Sequence, residues 1–243
     1  MNQPPSFMAG VRRVMQPTMA DDRAALEAFN GIARLFPLPN LVHFPGVDQA
    51  LHIFEHRYRQ MTADALAKDQ LIALVLLKPD WEDEYDAKPA IESVACLGRI
   101  LDAEKMDDGR YNYRLHGLAR IELKREIEVP GKMYRIAESR LIVETPIAEI
   151  SESKRLRGVL RESTLARFEE GGRAHKQIAG LFESESPLGH VCDMLGYSLP
   201  LVLSLKQQLL NEANMAARVM ILAEALKWPP KPADTFPPTF SAN

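Results

Sequence analysis

The feature that most constrains this chain is a change in hydrophobic periodicity near residue 150. Before it, apolar residues come in short runs separated by turn pairs such as Pro45-Gly46 and Asp108-Gly109. After it, apolar residues recur at spacings of three and four, as in the segment Leu156–Leu165, which is typical of amphipathic helices. The sequence therefore predicts an α+β protein in which a β-rich part precedes a helical part.

The β-rich part is predicted to form a small barrel or sandwich of short strands joined by turns. The segment Asp107–Arg110 predicts a hairpin, because Asp-Gly between two β-rich runs favours that turn. Apolar and polar residues then alternate from Tyr111 to Gly117, so one face of this strand should pack inward. The run Leu71–Leu77 is apolar throughout and should be buried on both faces. Strands are predicted at 35–39, 41–44, 51–54, 71–77, 93–106, 111–127 and 134–144.

Proline and glycine refine these boundaries. The run Leu35–Pro39 contains two prolines, so it is predicted to be an edge strand or an extended entry segment. Gly171-Gly172 should break the helical part. Ser186-Pro187, with Ser as cap and Pro in the first turn, and Ser198-Leu199-Pro200 are expected to start two further helices. A short helix is expected from Asp21 or Asp22.

Four segments follow from these patterns. We predict an N-terminal extension with a short helix (1–33), a β-rich subdomain (34–148), a helical subdomain (149–228) and a Pro-rich disordered tail (229–243).

Composition excludes several classes of protein. The chain has 243 residues, 46% of them apolar and 26% charged, with a net charge of −3, which is typical of a soluble globular protein. This charge argues against general nucleic-acid binding and against docking on anionic membranes. The longest apolar run is seven residues, Leu71–Leu77, whereas a membrane-spanning helix needs about 20. Cys96 and Cys192 are too few for a disulfide framework, so we expect a cytoplasmic protein.

Motifs for catalysis are weak. The sequence contains no P-loop, GxGxxG or GxSxG pattern, and we expect no cofactor. The run His52–His56 matches HxxEH, which in zinc peptidases places both imidazoles on one helix. Here Leu51–Phe54 is strand-like, so we interpret these as ordinary histidines at a strand-to-helix junction. A metal-dependent hydrolase using His52, Glu55 and His56 is kept as an alternative.

A thiol enzyme is a second enzymatic alternative. His190, Cys192 and Asp193 lie within four residues, but on one helix Cys192 would face away from the other two. A nucleophile and its base must reach each other by a hydrogen bond, so we expect Cys192 to be structural.

Three runs carry a resemblance to a known family: Leu35–Pro39, Phe44-Pro45-Gly46 and Leu51–Tyr58. Leu97–Ile100, Asp108–Asn112 and later segments extend it. From about residue 34 to 228, the chain resembles the N-terminal, substrate-binding domain of Lon proteases, in the form found as a stand-alone protein. The family typically has Pro where this chain has His56. The resemblance implies a PUA-like β pseudo-barrel followed by a helical bundle. In its motif, Phe54 and Tyr58 are expected to fill the core, and Glu55 and Arg57 to bond each other, Arg120 or loop backbone.

The resemblance also implies a function. We expect a non-catalytic module that recognises unfolded polypeptide or a dedicated protein partner, with a protease in trans as a further partner. Neither the ATPase loop nor the Ser–Lys proteolytic domain of a full Lon protease is found in the sequence, so no catalytic, metal or cofactor residue is assigned. The family-motif residues, interpreted as mainly structural, are Pro37, Pro39, Phe44, Pro45, Gly46, Leu51, Ile53, Phe54, Glu55, Arg57, Tyr58, Gly98, Asp108, Gly109, Gly117 and Arg120.

The contact surface and the oligomeric state stay open at this stage. An open sheet edge near Leu35–Pro39 and the apolar faces of the helices are both candidates for peptide contact. A PUA-like RNA-binding module is a third alternative, although fold alone does not carry function and the net charge argues against it.

Overall fold

The computed structural model describes residues 19–79, 81–84 and 88–227. The predicted tail 229–243 and residues 1–18 of the predicted extension lie outside the described residues. The elements are α1 (Met19–Glu27), β1 (Ile32–Leu38), β2 (Asp48–Ile53), α2 (His56–Leu66), β3 (Leu71–Leu76), a 3-10 helix (Trp81–Glu84), β4 (Val94–Lys105), β5 (Tyr111–Ile127), β6 (Arg135–Leu141), α3 (Ile150–Leu165), α4 (Arg173–Glu183), α5 (Leu188–Ser198), α6 (Leu203–Asn211) and α7 (Met215–Lys227). No helix in these ranges is both long and apolar enough to span a bilayer.

The six strands form one sheet in the order β2-β5-β4-β3-β1-β6. Strand β6 pairs with β1 and also with the second half of β5, so five strands close into a ring. Strand β2 pairs with the first half of β5 and is appended to this ring. The result is a pseudo-barrel with an extra strand, not a clean barrel, and five helices follow it in the chain. The predicted α+β class is confirmed.

The prediction that Leu35–Pro39 forms an edge strand is wrong. Strand β1 lies between β3, which runs parallel to it, and β6, which runs antiparallel. Pairing with β6 covers only Ile32–Leu35, so Pro37, which has no N–H to donate, lies where β1 has a single neighbour. The run 41–44 is also not a strand and connects β1 to β2 as irregular chain.

The predicted hairpin is confirmed. Strands β4 and β5 are antiparallel neighbours, and Gly109 in their turn has a φ of +82°, which an L side chain rarely adopts. The alternation in β5 is confirmed as well, because Tyr111, Tyr113 and Leu115 are buried while the residues between them are partly exposed. Every residue of Leu71–Leu77 is buried, as predicted.

The helices pack on the pseudo-barrel at three apolar clusters. Helix α2 contributes Tyr58 and Met61 to a cluster with the β-strands, and α1 covers a second cluster of smaller strand residues. The third cluster joins the five C-terminal helices to the β-rich part, where Phe44 is fully buried. Because this cluster is shared, the β-rich and helical parts are packed against each other; their division into subdomains stays a prediction.

Two predicted helix starts need correction. Helix α5 begins at Leu188 with Pro187 at the N-cap position, so Ser186 is not the cap. Helix α6 begins at Leu203, because Leu199 and Val202 are extended and delay the first turn. The break at Gly171-Gly172 is confirmed between α3 and α4.

Candidate functional site

A groove of the described surface lies between the family motif and the segment that joins β5 to β6. It encloses about 1090 Å³. One wall is formed by residues 37–40 together with Phe54, Glu55, Arg57 and Tyr58, and the other by Ile127–Arg135. We call it the Phe54 groove.

Phe54 is the most exposed large apolar side chain of this groove, with 62% of its surface accessible. The expectation that it fills the core is therefore wrong. Strand β2 ends at Ile53, whose side chain points inward and is buried. Since successive residues of extended chain point to opposite sides, Phe54 points outward, as does His52, whose ring stacks with it at a centroid distance of 6.2 Å. Tyr58 is buried, as expected.

The opposite wall adds two more exposed apolar side chains. Met133 is 49% exposed and Val129 is 38% exposed. They flank the turn at Pro130-Gly131, where Gly131 has a φ of +78°. The sequence patterns do not predict these two residues as part of a site, since two apolar residues beside a turn carry no periodic signal.

Helix α2 holds this wall in place through two polar side chains. Gln60 donates to the carbonyl of Gly131 at 2.9 Å and accepts from the backbone N–H of Met133 at 2.8 Å. Asp64 accepts from Lys132 Nζ and from the Tyr134 hydroxyl, both at 2.8 Å. The wall is thereby fixed to the helix that directly follows Phe54.

These bonds also set the ionisation of the group that anchors the wall. Partial burial alone would raise the pKa of Asp64, but the hydrogen bonds from Lys132 and Tyr134 outweigh it and hold the pKa below its usual value. Burial, together with the hydrogen bond to Asp64, raises the pKa of Tyr134 to about 12. Asp64 is therefore the acceptor and Tyr134 the donor near neutral pH.

Ion pairs between basic and acidic side chains lie along the groove. Arg57 Nε donates to Glu55 Oε2 at 3.0 Å. Among the bonds expected for Glu55 and Arg57, the structure therefore contains the one between the two residues themselves. At the far end Arg135 binds both carboxylate oxygens of Glu126, and Lys88 lies 3.3 Å from that carboxylate. The groove thus combines apolar contact surface with paired charges.

A second cleft of about 500 Å³ adjoins the Phe54 groove. Pro39, Leu77 and Trp81 line both. The second cleft reaches Leu203 and Gln207 on α6. The continuous surface therefore extends from the pseudo-barrel onto one helix of the C-terminal part.

Arg120 lies away from this groove. It binds Asp193 of α5 through two bonds of 2.6 and 3.0 Å, and its Nε donates to the carbonyl of Leu210 at 2.9 Å. Glu144 accepts from both Arg120, at 2.5 Å, and Arg218, at 2.7 Å. Arg120 therefore connects β5 to the helical part and makes no bond to Glu55 or Arg57.

The structure argues against both enzymatic alternatives. His52 lies on β2 and hydrogen-bonds Asn112 at 2.6 Å, whereas His56 opens α2. Within the described ranges, no three His, Cys, Asp or Glu side chains are placed to hold a metal ion. Cys192 is 1% exposed, and burial raises the pKa of its thiol to about 12, so at neutral pH the thiol is protonated and weakly nucleophilic.

Most of the motif residues are buried or half-buried. A Cβ on Gly117 would come within 2.1 Å of the Phe44 carbonyl oxygen, so this glycine permits a close backbone approach. Phe54 and Asp108 are exposed. The buried motif residues are Pro37, Phe44, Ile53, Tyr58, Gly98, Gly117 and Arg120, and the half-buried ones are Pro39, Pro45, Gly46, Leu51, Glu55, Arg57 and Gly109.

Comparison with solved structures shows the fold. The chain superposes on the N-terminal domain of a Mycobacterium avium complex Lon protease with a TM-score of 0.63 and 16% identity, covering 81% of this chain and 98% of that one. For a Lon N-terminal domain protein from Xanthomonas campestris the TM-score is 0.57 with 23% identity, covering 82% and 99%.

Comparison with curated sequences points the same way. A Lon protease of Anaeromyxobacter dehalogenans is 25% identical over 203 residues, which are 82% of this chain and 23% of that protein. Lon protease 2 of Myxococcus xanthus is 24% identical over 193 residues, 79% of this chain and 23% of that protein. The chain thus spans about a quarter of the length of these relatives.

The family model of the ATP-dependent protease La (LON) substrate-binding domain matches residues 32–227. This range runs from the first residue of β1 to the last residue of α7, and it contains both walls of the Phe54 groove. The chain belongs to the family of LON substrate-binding domains.

Proposed function

We propose that this protein is a non-catalytic recognition module that binds unfolded polypeptide in the Phe54 groove. The observation that carries the proposal is the exposure of Phe54, Met133 and Val129 on facing walls of one groove. Exposed apolar side chains gathered in a groove are typical of a surface that binds apolar segments of another chain.

The fixed geometry of the groove supports this role. Gln60 and Asp64 anchor one wall, and buried Ile53 and Tyr58 hold Phe54 on the other. Because the walls are ordered before a ligand arrives, binding loses less conformational entropy. Sequence-tolerant capture is favoured, since unfolded chains share apolar side chains and not a fixed sequence.

The absence of catalysis is part of the same proposal. The described residues that line the groove include no serine, threonine, cysteine or histidine, which are the usual nucleophiles and the usual base of hydrolases. A polypeptide bound in the groove would be released without being cleaved.

The proposal includes a cellular setting. Both cysteines are buried and unpaired, which fits a reducing compartment such as the cytoplasm. Relatives named Lon protease carry the matched region within much longer chains. We therefore include transfer of the captured polypeptide to a protease in trans as the next step.

The test is binding of one fluorescently labelled protein in native and permanently unfolded forms. We expect preference for the unfolded form, with the labelled chain recovered intact. Phe54→Ala and Met133→Ala should each weaken binding about 10-fold or more, as for central apolar contacts. Both should fold normally, because neither side chain is buried.

Val143→Ala is the matched control. Val143 is 86% exposed and lies outside the lining of the groove. Its replacement by Ala therefore removes exposed apolar surface at a site away from the groove. Equal binding of the native and unfolded forms, or binding that Phe54→Ala leaves unchanged, would refute the proposal.

A further inference from the structure

A smaller pocket of about 270 Å³ lies next to the Phe54 groove, and Met133 lines both. Its lining includes three basic side chains, His56, Arg59 and Lys105. No acidic side chain is among the described residues that line it. The pocket therefore differs in charge from the groove beside it, where both signs occur.

Arg59 and Lys105 are held by contacts that do not place them in an ion pair with a carboxylate. The Arg59 guanidinium lies against the hairpin turn, since a Cβ on Gly109 would be 2.0 Å from Arg59 Nη2. Lys105 Nζ lies 5.8 Å from the ring centroid of Tyr111. Within the part of the chain that the structure describes, neither cation forms an ion pair with a carboxylate.

Asp108, a carboxylate of the hairpin turn, is already bound. Asp108 accepts from the backbone N–H of Arg110 at 3.0 Å and from its Nε at 2.6 Å. The backbone N–H of Arg110 contributes most to holding the pKa of Asp108 below its usual value, and the positive charge of Arg59 adds to the effect. Asp108 therefore stays ionised, turned to Arg110 and not to the pocket.

The start of helix α2 strengthens the positive potential. His56 is its first residue, and no acidic residue occurs in its first turn. The N-cap residue Glu55 makes no capping hydrogen bond with its side chain, which instead binds Arg57. A helix N-terminus favours anions, and here it coincides with the basic pocket.

We propose that this pocket binds the carboxylate of an acidic side chain in a polypeptide whose apolar residues occupy the Phe54 groove. The inference rests on the proposed function and specifies its substrate: apolar segments flanked by Asp or Glu. Two observations select this occupant. The pocket is complementary in charge to a carboxylate, and Met133 makes it continuous with the apolar groove.

The test compares two labelled peptides by fluorescence anisotropy. Both carry the same Phe- and Leu-rich core, one flanked by Glu and the other by Gln, and both are acetylated and amidated so that side chains supply the only carboxylates. We expect the wild-type protein to bind the Glu peptide about fivefold tighter at low salt, and the preference to shrink as salt screens it.

Two variants locate the preference. Arg59→Gln and Lys105→Gln should each reduce it at least about twofold while leaving the affinity for the Gln peptide unchanged. Lys105 is exposed at the end of β4, so its variant remains informative if Arg59→Gln disturbs the hairpin. Lys154→Gln is the control, because it removes one positive charge from an exposed position on α3.

The outcomes separate this inference from the proposed function. Equal binding of both peptides, weakened alike by Phe54→Ala, would refute the acidic preference and leave the proposed function standing. A Glu preference that survives in the double variant of Arg59 and Lys105 would refute this pocket as its source. Binding of neither peptide would refute both.

Discussion

Replacing Asp193 by Asn should lower the free energy of unfolding by about 3–5 kcal/mol, the usual cost of leaving a buried charge without its partner. Asp193 is 4% exposed and binds Arg120 through two bonds, and Nη1 of Arg218 lies 3.3 Å from it. Glu144 is the other carboxylate that contacts these two guanidiniums. Without Asp193, two buried positive charges would share one partly exposed negative charge.

The buried ion-pair cluster of Arg120, Arg218, Glu144 and Asp193 has little capacity to compensate for the loss of the Asp193 charge. Nε and Nη2 of Arg218 are buried and already have no hydrogen-bond partner among the described residues. Since domains are typically stable by about 5–15 kcal/mol, the variant should unfold at a much lower urea concentration, measured by circular dichroism. Glu122→Gln is the control, because Glu122 pairs with Arg140 at the surface and should cost less than about 1 kcal/mol.

The reasoning would be refuted by a loss below about 1 kcal/mol, which would mean that the cluster is hydrated and not buried. A double variant sharpens the test. Asp193→Leu combined with Arg120→Leu should be more stable than Asp193→Leu alone, because it removes the uncompensated charge together with its partner.

Two further predictions concern α2. His56→Pro should change the free energy of unfolding by less than about 1 kcal/mol. Pro is favoured at the first helical position, and Glu55 before it is already extended. A large loss of stability in a urea titration would contradict the start of α2 at this residue. Asp64→Asn should cost about 1–2 kcal/mol at pH 7. Because the pKa of Asp64 is lowered in the folded state, its contribution is present above the unfolded pKa and is lost as the pH falls through the folded one. The difference between wild type and Asp64→Asn should therefore vanish in strong acid, and a difference that persists there would contradict the role of the ionised carboxylate.

Local patterns in the sequence predicted the six observed strands, the hairpin and the onset of the helical part, because each depends on neighbouring residues. They also predicted a strand at 41–44 that the structure does not form. The position of β1 within the sheet depends on residues far away in the sequence. Its second neighbour, β6, lies about a hundred residues later and pairs with it only because the sheet closes into a ring. A run with two prolines therefore resembled an edge, although the prolines lie beyond the segment that β6 covers.

The groove was partly predictable. Leu51 and Ile53 alternate with His52 and Phe54, so a strand with Ile53 inside already places Phe54 outside. The bond between Arg120 and Asp193 joins residues 73 positions apart and has no local signature. The same is true of Met133, which lines the groove beside a turn that Gln60 binds from α2.

Helix α2 links the scaffold of the motif to its contact surface. Its buried face, with Tyr58 and Met61, packs into the pseudo-barrel and so fixes the loop that presents Phe54. Its polar face carries Gln60 and Asp64, which fix the opposite wall. One helix therefore sets the distance between both walls, so the motif is scaffold and contact surface at once. It follows that a substitution in the buried face of α2 should alter peptide binding through both walls together, whereas Phe54→Ala removes one contact and leaves the spacing intact.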